Sequence, residues 1–174
     1  MKRIICPMLC ILMIAGLSGC LFHEAGEFLD PVEFFYPRKS TDFVYGSSDG
    51  VIGSEIREAS GHVGDLKYLL PMYLRGPQDS VLRSPFPPGC KLEDIYEEGT
   101  TLYIQLSTEF AALHGTDLTL ACAALARTCL TMTNYEHVSI NAAGDTQTVS
   151  IVLDTDSVLL ADLRAFKNTT EEES

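Results

Sequence analysis

Gly99-Thr100-Thr101-Leu102-Tyr103-Ile104-Gln105-Leu106-Ser107-Thr108-Glu109-Phe110 is the stretch on which the fold turns. Leu102, Ile104 and Leu106 alternate with Tyr103 and Gln105, the period of a strand with one face inward and one outward. Before it, Leu92 to Tyr96 reads as a partner strand, and Glu98-Gly99 joins the two into a β-hairpin. After it comes a helix, capped by Asp117 and running to about Met132. Leu118, Cys122, Leu125, Cys129 and Met132 fall on one stripe. Ala121, Ala124 and Ala126 widen the apolar surface, while Thr119, Arg127 and Thr131 stay polar. A helix of such small residues can lie close against a sheet.

Further upstream, Asp65 is the N-cap of an earlier helix whose apolar positions are Leu66, Leu69, Leu70, Tyr73 and Leu74. Pro71 interrupts that pattern and removes a backbone donor, which costs ~3 kcal/mol in a helix interior. A kink or an irregular first turn is predicted. Gly76-Pro77 stops the helix, and Ser84 to Gly89 is a proline-rich connector. Val32 to Tyr36 reads as a first strand, Asp42 to Tyr45 as a short extended piece, and Val51 to Ala59 as a strand after the 46–50 turn cluster. Downstream, Val138 to Asn141 and Thr148 to Leu153 are strands around Gly144-Asp145. A short helix starts at Asp156, with Val158, Leu159, Leu160, Leu163 and Phe166 as its apolar residues.

The N-terminus reads as an address. Lys2 and Arg3 are followed by an apolar run from Ile4 to Leu17, the length of a signal-peptide core. A comfortable membrane-spanning helix needs about 20 residues. Leu17-Ser18-Gly19-Cys20 resembles the bacterial lipobox: small residues admit an extended backbone to a peptidase, and the Cys20 thiol takes a diacylglycerol. Two acyl chains satisfy the two-signal requirement for stable anchoring. Cys20 is therefore the predicted lipidation site, and the chain is predicted to sit on the extracytoplasmic face of the cell membrane. Leu21 follows Cys20, so the inner-membrane retention aspartate of some Gram-negative bacteria is missing. A single-membrane host and an outer-membrane destination both stay open. The domain plan is a signal peptide over 1–19, a tether over 20–31, one folded domain over 32–167, and a disordered acidic tail over 168–174.

The chain holds 12 basic and 24 acidic residues. The signal takes two basic and no acidic residues, so the mature part keeps 10 against 24, a net −14. Such a surface repels phosphate backbones, which excludes nucleic acid as a partner and leaves a basic protein or a cation. Cys90, Cys122 and Cys129 remain after processing, an odd number that does not suit a closed disulfide framework. Cys122 and Cys129 lie about 10 Å apart along a helix axis at 1.5 Å per residue. Buried free thiols are expected.

No catalytic constellation is legible. His23, His62, His114 and His137 are scattered, without metal-site spacing, and His62 and His114 sit in polar loops. Ser84, Ser107 and Ser139 lack a nucleophile-elbow context. Glu93, Asp94, Glu97 and Glu98 are the densest acidic cluster. They read as the solvated face of a hairpin, with calcium or a basic partner as the functional alternative. Phe34, Phe35 and Tyr36 form an aromatic run, from which alternation would send one ring outward as a contact. Packing within the domain is the alternative. The prediction is no catalytic residue, no metal, no cofactor and an unknown binding site.

Several motifs in order resemble the GerMN domain of sporulation and germination lipoproteins of the GerM type, over residues 32–144. They are Leu74-Arg75-Gly76-Pro77, Ser84-Pro85-Phe86-Pro87-Pro88-Gly89, the Gly99–Phe110 stretch with its Leu-Ser-x-Glu-Phe exit, Leu125, Thr128 and Leu130, and Val138, Ile140 and Gly144. Pro71 and Gln105 depart from the family pattern. The resemblance implies an α+β fold, a small mixed or antiparallel sheet with two main helices packed on one face. It also implies a non-enzymatic, membrane-tethered interaction module that supports assembly of an envelope complex with a protein partner, in sporulation or germination. A solute- or wall-fragment-binding lipoprotein is the rival, and an envelope hydrolase a third class.

Overall fold

The computed structural model describes residues 29–39 and 50–159. The signal peptide, Cys20, most of the tether, the Asp42–Tyr45 piece, the terminal helix beyond Leu159 and the acidic tail lie outside the described residues. The fold is α+β, with two sheets. Strands β1 (Pro31–Pro37) and β2 (Ile52–Glu58) form an antiparallel pair. Strands β3 (Leu92–Glu98), β4 (Thr101–Leu106), β5 (His137–Ala143) and β6 (Thr148–Asp154) form a second sheet in that order. Helix α1 (Leu66–Leu74) precedes that sheet, and α2 (Gly115–Met132) crosses between β4 and β5. The crossover makes β4 and β5 parallel while the outer pairs are hairpins, so the sheet is mixed. Helix α3 (Thr155–Leu159) closes the described chain.

The period-two reading of β4 holds: Leu102, Ile104 and Leu106 are buried and join Leu69, Leu125 and Ile140 in the main core. Helix α1 starts after Asp65, whose carboxylate accepts from Tyr68 N at 3.2 Å. Tyr68 N also bonds the carbonyl of Asp65, three residues back, so the first turn is tight. The helix runs on through Pro71 because Leu66, Leu69, Leu70, Tyr73 and Leu74 are all buried on one face. Gly76, at φ +95°, ends it. A Cβ there would lie 3.2 Å from that of Ser84, so both conformation and space call for glycine.

Three readings need correction. Helix α2 starts at Gly115, whose φ of +57° turns the chain two residues before Asp117. Asp117 therefore lies in the first turn, where its charge suits the positive end of the helix, and it pairs with Arg83 at 3.4 Å. Helix α3 begins at Thr155, and Asp154 rather than Asp156 accepts from Ser157 N and Oγ at 2.7 and 2.6 Å. The aromatic run presents no outward ring: Phe34, Phe35 and Tyr36 are all buried. Strand β1 lies between α1 and α2, so both faces of its aromatic run are covered. Phe34 and Tyr36 pack on Tyr73 of α1, with centroids at 5.4 and 4.7 Å. Phe35 packs on Ala123 and Ala124 of α2, under the guanidinium of Arg127 at 4.4 Å.

The edge of β1 is engaged as well, at Phe35 and Pro37. Arg38 N bonds Val51 O and Ala59 N bonds Asp30 O, so even-numbered residues of β1 face β2 and odd-numbered ones face away. Pro31 and Pro37 have no N–H to offer, and Pro37 O accepts from Arg83 N at 2.8 Å. Phe35 N donates to Thr128 Oγ1 of α2 at 3.0 Å, and Phe35 O accepts from the Tyr73 hydroxyl at 2.7 Å. Residues 29–31 are tied into the fold too. Glu58 accepts from Leu29 N and Asp30 N, both at 3.1 Å, and Asp30 accepts from Gly61 N at 2.8 Å.

Candidate functional site

Three of the stretches that carry the resemblance, the α1 exit, the proline connector and the exit of β4, come together on one side of the fold. Phe86 of the proline connector meets Tyr73 edge-on at 5.2 Å and lies 6.3 Å from Phe110. Lys91 N donates to Ser107 Oγ at 2.9 Å, and Ser107 N donates back to Lys91 O at 2.9 Å. Ser84 Oγ accepts from Phe86 N at 3.2 Å. Ser107 therefore pins the end of the connector to the exit of β4, while Ser84 braces the turn of the connector itself. Between the connector and the end of α1 lies an open cleft of about 640 Å³, bounded by Pro71, Leu74, Phe86 and Pro88, with Arg75 and Lys91 as its cations. A second cleft of about 560 Å³ lies between the β3–β4 turn, the start of α1 and the loop after α2.

Cys90 borders the first cleft but is buried. Burial, and after it the charge of Glu109, pushes its thiol up to about 11. Cys122 and Cys129 are buried free thiols on α2, pushed up by burial, Cys122 to about 12. All three stay protonated near neutrality, which denies them thiolate chemistry. A thiol-alkylating reagent at pH 8 is expected to leave all three unmodified in the folded chain and to modify them in urea, read by intact mass. Modification of the folded chain at Cys122 or Cys129 would contradict the packing of α2. The sign for stability follows. Unfolded thiols ionise near about pH 8.5 while the folded ones stay neutral, so stability is whole below that pH and falls as pH rises past it.

Among the described residues the histidines are apart, as their spacing suggests. His62 is half-buried, stacks on Tyr68 at 3.7 Å and reaches Asp65 at 3.3 Å. His114 is exposed and its ring contacts Ala112 O, while His137 opens β5. His23 and the lipidation site Cys20 lie outside the described residues. Ser139 is buried within the sheet. Among the described residues no cluster of three or more His, Cys, Asp or Glu gathers as for a metal ion, and no helix is long and apolar enough to cross a membrane.

The acidic hairpin is exposed but is not one patch. Asp94 and Glu98 share a face with Gln105 and Thr101, their partners on β4, while Glu97 opposes Leu102 on the core side. Glu93 falls where the register shifts. Sequence reasoning missed the pair Glu55 and Arg57, which lie in a strand read only for its extended character. Both are nearly buried, and their alternation across Ile56 was the available signal. Arg57 binds Glu55 and Gly76 O, the latter at 2.6 Å, while Glu55 accepts from Gln78 N and Asp79 N at 2.9 and 2.8 Å. This pair ties β2 to the loop that leaves α1.

A search of the curated proteins returns no match. A crystal structure of a candidate lipoprotein from Clostridium perfringens aligns with 80% of this chain and 98% of its own, at 15% identity and a TM-score of 0.46. The sequence model of the Germane family, described as sporulation and spore germination, matches residues 44–148, a span that holds the α1 exit, the proline connector, the β3–β4 hairpin and α2. The chain belongs to the Germane family of sporulation and spore germination.

Proposed function

We propose that this chain is a non-catalytic interaction module, tethered through acylated Cys20 to the extracytoplasmic face of the membrane, that supports assembly of an envelope complex in sporulation or germination. The observation that carries the reading is the match to the sporulation and germination family over residues 44–148. Its motif residues serve to build one side of the fold, with Ser84 and Ser107 engaged in backbone hydrogen bonds and Cys90 held neutral. The tether rests on Leu17-Ser18-Gly19-Cys20. Changing Cys20→Ser is expected to move the protein from the membrane to the soluble or secreted fraction and to abolish acyl labelling. Unchanged fractionation, with no acyl mass on the wild type, would sink the assignment. The cleft of about 640 Å³ favours a second reading, capture of a solute or wall fragment, since ligand sites commonly span ~300–1,000 Å³. That reading expects a muropeptide to raise the unfolding temperature of the protein.

A further inference from the structure

We propose that the face of the four-stranded sheet turned away from the helices docks a lysine- and arginine-bearing segment of a partner protein, an inference that rests on the interaction-module reading and assigns it a surface. The helices pack on the opposite face, where Leu102, Ile104 and Ile140 join the core with Leu69, Leu125 and Val158. Register sets the face turned away from them in three rows. The middle row is Tyr96, Tyr103, Ser139 and Val152. Tyr96 and Tyr103 stack with centroids 4.8 Å apart and planes 2° from parallel. Tyr96 on β3 is 51% and Val152 on β6 57% exposed, so the two edge strands leave large apolar groups to solvent, while Ser139 between them is buried.

On one flank run Asp94, Gln105, Asn141 and Ser150, and on the other Glu98, Thr101, His137 and Asp154. Asn141 Nδ2 donates to Ser139 Oγ at 3.1 Å and Ser150 Oγ to Asn141 Oδ1 at 2.9 Å, which orders the floor between the rows. Strands β3 to β6 carry Glu93, Asp94, Glu97, Glu98 and Asp154 and no lysine or arginine. Charge complementarity selects a cation, and the exposed rings select its form. Lysine and arginine lay apolar stems on Tyr96 and Val152 while their charged heads reach Asp94, Glu98 and Asp154 or lie over a tyrosine face. A lone calcium ion would need about six to eight oxygens, and the carboxylates of these rows do not converge.

The test titrates the full chain, ¹⁵N-labelled in lipid nanodiscs, with a short peptide of alternating lysine and arginine at physiological salt. Amide shifts are expected to concentrate on the three rows. The triple variant Asp94→Asn, Glu98→Gln, Asp154→Asn should keep the wild-type unfolding temperature and weaken the peptide about tenfold, since each exposed pair is modest alone. Tyr96→Leu should weaken it about threefold, the scale of an exposed cation–π contact. The same charge change placed elsewhere, at Asp79, Asp117 and Asp145, should move the affinity by less than about twofold because distant charges are screened. Equal weakening by the two triple variants overturns the proposal, because attraction to an acidic chain would then suffice. Shifts that map to another surface overturn it too, as does self-association lost only in the sheet variant, which would make a second copy the occupant. Peptide affinity judges this surface alone, whereas fractionation and sporulation of a Cys20→Ser strain judge the tethered module.

Discussion

Replacing Arg57 by methionine is expected to lower the unfolding free energy by about 3–5 kcal/mol, the penalty for breaking one side of a buried ion pair. Side chains of Arg57 and Glu55 are only 7% and 9% exposed. The guanidinium lies 5.2 Å from the Phe34 ring centroid, bonds Gly76 O, and neutralises the carboxylate that also holds Gln78 N and Asp79 N. Without it, Glu55 stays buried as a charge with only neutral donors. The double variant Glu55→Gln, Arg57→Met should recover part of the loss, because it removes the stranded charge. A double-mutant cycle in urea measures this. A loss below about 1 kcal/mol for Arg57→Met would place the pair with exposed salt bridges and contradict its burial.

Tyr73→Ala is the other large loss, about 3–5 kcal/mol, as for deletion of a buried aromatic ring. Tyr73 is fully buried, stacked on Tyr36 at 4.7 Å and edge-on to Phe86 at 5.2 Å. Its hydroxyl donates to Phe35 O, while the Tyr36 hydroxyl donates to Tyr73 O at 2.7 Å. Each tyrosine thus satisfies a carbonyl on the other's element. Tyr73→Phe keeps the ring but orphans the outward carbonyl of β1, and should cost about 1–3 kcal/mol. Urea unfolding separates the two terms, and hydrogen exchange at Phe35 should quicken in both variants. If Tyr73→Phe matched the wild type, the hydroxyl would have no part in closing the β1 edge.

The local elements were legible because each writes its period into the chain. Leu102, Ile104 and Leu106 announce β4, and Leu66, Leu69, Leu70, Tyr73 and Leu74 announce α1 through a proline that the buried face overrides. The start of α2 was misplaced because Asp117 satisfies the cap pattern equally well, while a glycine at positive φ decides the turn. The α1 exit and the proline connector were legible as words, yet their meeting around one cleft depends on residues from Pro71 to Leu92 arriving from different elements.

By itself, the sequence determined the family, the α+β character, the three unpaired thiols and the acidic balance, since these follow from residue type and local spacing. Only the tertiary structure decided which surfaces exist. Alternation within β1 left open an exposed ring or packing within the domain, but helices on both sides bury the aromatic run, and side chains from α1 and α2 bond the outward backbone groups of Phe35. The acidic run of β3, contiguous in the chain, divides between two faces because successive side chains of a strand point oppositely. Tyr96, Tyr103, Ser139 and Val152, far apart in sequence, become one row because hydrogen-bonded register across four strands places them side by side.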